Sequence, residues 1–152
     1  MNEAEDTFHL GIKALIRNPA GKVLLLKVNT KKLRGTTDAY WDIPGGRVQR
    51  NSTAEDTLRR EVEEEIGVLD IHDVKPFSMV LSNIRIPLEP LDVGLVLAIY
   101  TCSIDTKIPL RLSEEHTEAG WFDIAEAATL LQVKYPRSFT QELQKLAFDL
   151  VQ

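Results

Sequence analysis

Residues 60–67 read Arg60-Glu61-Val62-Glu63-Glu64-Glu65-Ile66-Gly67, a dense run of carboxylates beside one guanidinium. On a helix, positions i, i+3 and i+4 share a face. Glu61, Glu64 and Glu65 therefore stand side by side, whereas Glu63 points to solvent. Like charges at i,i+4 destabilise an isolated helix by roughly 0.2–0.5 kcal/mol. Such a cluster persists when fully solvated, or when a cation neutralises it. Carboxylate oxygens suit hard divalent ions, which makes Mg²⁺ or Mn²⁺ the natural guest. Arg60 is placed to pair with one carboxylate and fix its orientation, while Val62 and Ile66 flank the stripe as inward anchors. An acidic run alone is ordinarily a solvated helix face, so its neighbours must decide.

The elements that position this run can be read on either side of it. Residues 53–66 form the clearest helix. Thr53 is its cap, with Asp56 as capping-box partner, and Ser52 with Glu55 offers the same chemistry one residue earlier. Gly67 stops the helix. Upstream, Trp41-Asp42-Ile43-Pro44-Gly45-Gly46 reads as a short strand ending in a forced turn. Pro44 cannot donate to a ladder, and the glycines let backbone or ligand approach closely. Residues 9–17 partly alternate, with Ile12, Ala14 and Ile16 on one face. A turn at 18–21 and the apolar run Val23–Leu26 complete what the pattern predicts to be a hairpin. Strands are expected at 74–86 and 93–104, the second apolar enough to be central. A short strand at 121–123 leads to a helix at 124–131. A last helix spans 137–150, with a core-packing stripe of Phe139, Leu143, Leu146, Ala147 and Leu150. This mixture predicts an α/β sandwich in a single domain, 1–152, with the strand order left open.

Gly45-Gly46 is followed by thirteen residues, then Arg60-Glu61, an apolar residue, any residue, Glu64-Glu65, any residue, Gly67 and Val68. This spacing closely resembles the Nudix box of the Nudix hydrolase family. The box occupies 46–68, and Trp41-Asp42-Ile43-Pro44-Gly45 resembles the usual approach to it. A looser likeness runs through Ser113-Glu114-Glu115-His116 and Trp121-Phe122. The resemblance implies a Nudix-like α/β/α sandwich with a mixed β-sheet. It implies a metal-dependent hydrolase that splits a phosphoanhydride bond in a nucleoside diphosphate linked to another group. The substrate would be a nucleoside triphosphate or a nucleotide-sugar-like diphosphate. The alternative is a Nudix-fold module that binds a nucleotide without cutting it.

The same likeness implies roles for particular residues. Glu61 and Glu65 would be principal ligands of Mg²⁺ or Mn²⁺, and Glu64 a ligand or the base that deprotonates water. Arg60 would orient Glu61, and the Gly45 carbonyl would complete a metal shell. Some members draw their base from a downstream loop, for which Glu115 is the first choice here, ahead of Glu114 and Glu118. Lys31, Lys32 and Arg34 lie in a polar loop expected to overhang the metal site and contact substrate phosphates, with Gly46 beside them. One departure stands out: Ser52 replaces the Glu usual at the sixth place after Gly46, and Gln49 and Asn51 stand where Glu and Gly are common. A neutral Ser supplies no anionic charge, yet retains the chemistry of a helix cap.

Other features are less specific. His116 has a side chain suited to acid–base work, but no spacing assigns it a partner, so it reads as a surface or structural residue. Trp41 or Tyr40 offers a ring for a nucleobase, although Trp41 reads first as packing beneath the Gly-Gly turn. The Pro or Tyr that marks certain subgroups past the box is not clearly present, and the substrate class stays open. A formal charge of −5 argues against broad nucleic-acid binding, but not against a small anion in a cation-bearing cleft. No apolar run suits a membrane span, and the acidic start does not resemble a secretory signal. The one cysteine, Cys102, falls in an apolar run and reads as core. A cytoplasmic protein is expected, with a homodimer left open.

Overall fold

The computed structural model describes residues 4–32 and 38–151, with side chains described as far as residue 147. In chain order the elements are β1 (Phe8–Ile16), β2 (Val23–Val28), β3 (Trp41–Asp42), β4 (Gly45–Arg47), α1 (Ala54–Ile66), β5 (His72–Leu81), β6 (Gly94–Ser103), β7 (His116–Phe122), α2 (Ile124–Leu130) and α3 (Arg137–Val151). Short 3₁₀ turns lie at Thr30–Lys32 and Leu131–Val133. One sheet has the order β4-β1-β6-β5 and the other β3-β2-β7. The first is mixed, because β1 runs parallel to β6 but antiparallel to β4. The second is antiparallel throughout.

Strand β2 and most of β1 and β6 are covered on both faces, which explains their apolar runs, whereas β5 and β7 are largely open. Ile12, Ala14 and Ile16 of β1, with Leu24 and Leu26 of β2, pack against Leu58, Val62 and Ile66 of α1. The alternate residues Leu15, Val23 and Leu25 enter a second core with Ala127 and Ala128 of α2 and Phe139 and Leu143 of α3. The layers therefore run α1, sheets, α2 with α3, as the expected sandwich requires. Strand β6 is internal, also as expected.

Four expectations need correction. The turn at 18–21 forms, with Gly21 at φ 80°, but β1 and β2 are not a hairpin. Beyond the single bridge Arg17–Val23 they diverge into different sheets. Strand β5 ends at Leu81 rather than 86, because Ser82 Oγ and the Asn83 N–H turn aside to donate to the Lys134 carbonyl at 2.8 and 2.9 Å. Strand β7 starts at His116, five residues before the expected 121, since pairing with β2 continues well beyond its apolar end. On α3, Phe139 and Leu143 are buried and Leu146 packs on the core, but Ala147 is exposed. The side chain of Leu150 lies outside the described residues. Cys102 is buried as expected, and burial pushes its thiol up to about 12. Among the described residues, no helix is long and apolar enough to cross a membrane.

Candidate active site

Helix α1 is fixed at both ends. Thr53 Oγ1 accepts the Asp56 N–H at 3.1 Å, and Gly67, at φ 74°, closes the other end by donating its N–H to the Glu63 carbonyl at 2.9 Å. Ser52 is not the cap. Its hydroxyl lies 3.2 Å from Thr57 Oγ1 instead. With Leu58, Val62 and Ile66 wholly buried, the rotation of the helix is set, and its acidic stripe meets the Gly45-Gly46 segment.

That segment is shaped for the meeting. Ile43-Pro44 carries the chain from β3 in one sheet to β4 in the other, and the Gly45 N–H donates to Glu65 Oε2 at 2.8 Å. A Cβ on Gly46 would lie 2.4 Å from the Glu61 carboxyl carbon, and one on Gly45 would lie 2.1 Å from the Ile12 carbonyl oxygen. Glycine at 45 thus lets β4 lie against β1, and glycine at 46 lets the Glu61 carboxylate close on the strand. Arg60 Nη2 donates to Glu61 Oε1 at 3.3 Å, and Arg60 Nη1 to Gln49 Oε1 at 3.4 Å. The expected Arg60–carboxylate pair is therefore present.

The environments of the three stripe carboxylates differ. Glu65 is 4% exposed, and burial pushes its carboxyl up to about 8 against the opposing pull of Lys13 and the Gly45 N–H. Burial also raises Glu61, with Glu64 and Glu115 adding repulsion and Arg60 opposing it. Glu64 is exposed. Among the described residues, the trio whose ligand atoms lie within 4.8 Å of one another is Glu65, Glu115 and His116. Glu61 and Glu64 stand beside this trio rather than in it.

The loop bearing Glu115 is held from two sides. The Ser113 N–H donates to the Glu65 carbonyl at 3.2 Å, and the Asn29 N–H donates to the Glu115 carbonyl at 2.8 Å. Asn29 Nδ2 also donates to the Glu114 carbonyl at 2.8 Å. Lys32 pairs with Glu114, Nζ to Oε2 3.3 Å, and Glu118 with Lys27 at 3.2 Å. Lys31 is exposed on the same 3₁₀ turn, and Arg34 lies outside the described residues. His116, read from sequence as lacking a partner, belongs to the acidic trio. Burial first, then Lys13, pushes its ring down to about 4, so it is neutral near pH 7, with its Nδ1 buried and, among the described residues, unpartnered.

Sequence reasoning also missed a buried polar hub. Asp42 accepts Lys13 Nζ at 3.0 Å, Lys134 Nζ at 2.7 Å, the Tyr135 hydroxyl at 2.6 Å and the Ile43 N–H at 2.8 Å. Lys13 Nζ also donates to the Ile43 carbonyl at 3.2 Å. Burial alone would raise Asp42, but the two ammonium groups outweigh it and hold the carboxyl well below its usual range. Burial lowers Lys134 to about 8, with Lys13 adding repulsion against the pull of Asp42. Burial would likewise lower Lys13, but Asp42 and Glu65 outweigh it and raise the group. The available signal was a lone lysine inside the apolar strand Gly11-Ile12-Lys13-Ala14-Leu15-Ile16. Trp41, one residue from the hub, packs edge-on against Phe122 with ring centroids 5.0 Å apart.

A mixed sheet and an antiparallel sheet between α1 and the α2–α3 pair, with glutamates of α1 against a Gly-Gly strand, define a Nudix-type fold. The family description "NUDIX domain" matches residues 7–143, and the chain belongs to that family. By family it is classed with the Nudix pyrophosphohydrolases. It is 28% identical over 128 residues to nucleoside triphosphatase NudI of Enterobacter sp. (strain 638), covering 80% of this chain and 88% of that protein. It is 39% identical over 59 residues to 8-oxo-dGTP diphosphatase of Haemophilus influenzae, a match spanning 38% of this chain and only 40% of that relative. In structure it resembles the MutT protein of Methanosarcina mazei Go1, with TM-score 0.67, 22% identity, and coverage of 99% and 100% of the two chains. At that identity the likeness speaks for the fold alone.

Proposed function

We propose that the protein hydrolyses a phosphoanhydride bond of a nucleoside diphosphate linked to another group, a nucleoside triphosphate first and a nucleotide-sugar-like diphosphate second. The reaction would require Mg²⁺ or Mn²⁺ at the Glu61–Glu65 face. The observation that carries this is Glu65: a carboxylate almost wholly buried, given one backbone N–H by Gly45, with Glu61 and Glu115 as acidic neighbours. A buried anion so poorly compensated is costly unless a cation neutralises it. The donor set, mostly carboxylate oxygen, fits a hard divalent ion, and the His116 ring inclines the choice toward Mn²⁺.

Glu61 and Glu65 would hold the metal with the Gly45 carbonyl, and Glu64 and Glu115 are the exposed carboxylates proposed as the base. Once bound, the ion polarises phosphoryl oxygens and lowers the pKa of a coordinated water. Arg60 keeps Glu61 in one rotamer, and the Gly45 N–H does the same for Glu65, so neither must reorganise as charge develops at phosphorus. Glu64 or Glu115 takes the proton from the attacking water, both being open enough to pass it to solvent. Lys31, Lys32 and Arg34 are proposed to meet substrate phosphates, with Lys32 leaving Glu114 to do so and the Gly46 backbone contributing to the same binding. A reducing cytosol is the proposed compartment, consistent with the free thiol of Cys102.

The test is turnover of a panel of nucleoside triphosphates and nucleotide-linked diphosphates with Mg²⁺, Mn²⁺ or EDTA. Metal-dependent release of nucleotide and phosphate products, lost in Glu61→Gln and Glu64→Gln, is the expected result. Saturable nucleotide binding without turnover of any member would overturn it in favour of a binding module.

A further inference from the structure

The backbone of residues 44–46 leaves the direction of its own peptide groups weakly set. Pro44 has no N–H with which to anchor itself, and Gly45, at φ 153°, and Gly46 carry no Cβ to restrict them. Yet the Gly45 N–H meets Glu65 Oε2 at 2.8 Å, so its orientation is imposed by neighbours. Ile43, just before this stretch, is held at both of its polar groups. Its N–H donates to Asp42 Oδ1 at 2.8 Å, and its carbonyl accepts Lys13 Nζ at 3.2 Å. Lys13 Nζ also donates to Asp42 Oδ2 at 3.0 Å. The buried ion pair therefore closes a loop of hydrogen bonds around the Ile43 backbone.

Lys13 reaches the same stretch from a second direction. It stands opposite Gly45 in the β1–β4 register. A Cβ on Gly45 would lie 2.6 Å from Lys13 Cδ and 2.8 Å from Lys13 Cα. The stem of Lys13 thus runs along the Gly45 backbone, while its ammonium holds the carbonyl two residues earlier. The adjoining ladder bond, from the Ala14 N–H to the Pro44 carbonyl at 2.8 Å, is all backbone and needs no particular side chain at 13.

Stability alone does not account for a lysine at this place. Its buried neighbours Ile12, Ala14, Leu15 and Ile16 are apolar, and a buried ion pair is often no more stabilising than apolar residues of similar volume. Nor does Asp42 need Lys13 for charge balance. Lys134 Nζ donates to it at 2.7 Å and the Tyr135 hydroxyl at 2.6 Å. What Lys13 adds, among the described residues, is the bond to the Ile43 carbonyl.

We infer that Lys13 is a positioning residue, which sets the Gly45 peptide, and through it Glu65, by closing the hydrogen-bonded loop with Asp42 and Ile43. The catalytic consequence rests on the proposed hydrolysis at the Glu61–Glu65 face, whereas the geometric one stands without it. A peptide held in advance does not have to reorganise as charge develops. Lys13 acts on Glu65 and not on the exposed lysines proposed to meet phosphates, so its loss should fall on kcat more than on nucleotide KM.

Lys13→Met keeps the stem and removes the ammonium, leaving Asp42 and Lys134 as a balanced pair. Amide hydrogen exchange in metal-free protein, resolved by NMR, reads the geometry. The Gly45 amide should lose about tenfold in protection, with the Val62 and Ile66 amides of α1 within about twofold of wild type. Titration with Mn²⁺ alone should show about tenfold weaker binding, and kcat should fall about tenfold with nucleotide KM within about threefold. Tyr135→Phe is the control: it takes a donor from Asp42 but leaves both Lys13 bonds, so Gly45 protection should stay within about twofold. Unchanged Gly45 protection in folded Lys13→Met overturns the inference. So does an equal loss in Tyr135→Phe, which would mark general loosening of the hub, or lost protection with Mn²⁺ affinity and kcat both intact. Lys13→Leu carries the same expectations if methionine is not accommodated. Failure of both to fold beside a folded Tyr135→Phe also overturns it, by making Lys13 a stability residue. If the wild type neither binds Mn²⁺ nor turns over any nucleotide, the hydrolytic reading fails while the exchange comparison still decides the geometry.

Discussion

Asp42 and Glu65 are both buried carboxylates, both lie within the field of Lys13, and they are driven in opposite directions. Asp42 accepts four hydrogen bonds, two from ammonium groups, and is held well below the ordinary carboxylate range. Among the described residues Glu65 accepts a single backbone N–H, and burial pushes it up to about 8. Burial acts on both, so burial cannot explain the difference. Saturation does. The Asp42 hub ties β1, β3 and the turn before α3 into one unit with its acceptors filled, whereas Glu65 is left short of partners, among the described residues, at the point where the acidic face of α1 meets β4. A carboxylate kept unsatisfied by the fold is one prepared for a ligand.

The contrast is broken most severely by removing its saturated member. Asp42→Ala removes the one carboxylate that both Lys13 and Lys134 bond in a buried site. Loss of one partner from such a network costs about 3–5 kcal/mol. Urea unfolding should show that loss as a lower midpoint with little change in slope, and a loss under about 1 kcal/mol would mean the hub is far more solvated than its burial implies.

Glu65→Gln should do the reverse for stability while abolishing function. The folded chain holds the Glu65 proton up to about 8, against an ordinary value of 4.5. Between those values the folded state binds more protons than the unfolded one, so stability falls as pH rises through the window. Glutamine does not titrate, and without metal the variant should be more stable than wild type at pH 8 by about 2–4 kcal/mol, converging toward it near pH 4.5. Turnover should drop by about a hundredfold or more, and Mg²⁺ should no longer raise the melting temperature. Denaturation curves at several pH values, with and without Mg²⁺, read both effects. A variant less stable than wild type at pH 8 would show that Glu65 is better compensated than its single hydrogen bond suggests.

Gly46→Ala sharpens the comparison from the other side. The new Cβ would sit 2.4 Å from the Glu61 carboxyl carbon, so Glu61 must swing away from Glu65. The expected cost is about tenfold in kcat/KM, roughly 1.4 kcal/mol in transition-state stabilisation. The melting transition should move little, since a partly exposed side chain can yield. An active variant with unchanged metal dependence would show that Glu61 works from another rotamer.

The saturated and unsatisfied regions differed as much in how visible they were in the sequence. Helix α1 was legible because its caps, its apolar positions 58, 62 and 66 and its acidic positions are all local. The strand 93–104 was legible because a strand covered on both faces is apolar throughout. The hub was not, because Lys13, Asp42 and Lys134 meet across separations of 29 and 92 residues that only the sheet topology brings together. Likewise the turn chemistry at Asn18–Gly21 is the same whether the flanking strands pair or part, and they part. Strand β5 ended early because Ser82 and Asn83, neutral in any apolar pattern, find the Lys134 carbonyl. His116 was passed over since, Glu115 apart, its neighbours Glu65, Lys13, Asp42 and Lys134 come from distant parts of the chain.

Ser52 is where the smallest effect is expected, and where the family resemblance raised the sharpest question. Thr53, not Ser52, caps α1, so helix stability does not depend on the Ser52 hydroxyl. That hydroxyl contacts Thr57, which lies one helical turn before Glu61 on the same stripe. A glutamate at 52 would therefore extend the acidic face at its N-terminal end, remote from Glu65 and in the favourable field of the helix N-terminus. The carboxylates that meet Gly45 and Gly46 are present without it. Ser52→Glu should tighten Mg²⁺ or Mn²⁺ binding by about two- to threefold, near 0.5 kcal/mol, with kcat within about threefold of wild type. Metal titration followed by melting temperature, alongside steady-state kinetics, measures both. A tenfold rise in kcat would place position 52 in the working site, and a tenfold fall would mean that the Ser52–Thr57 contact helps to hold Glu61 in place.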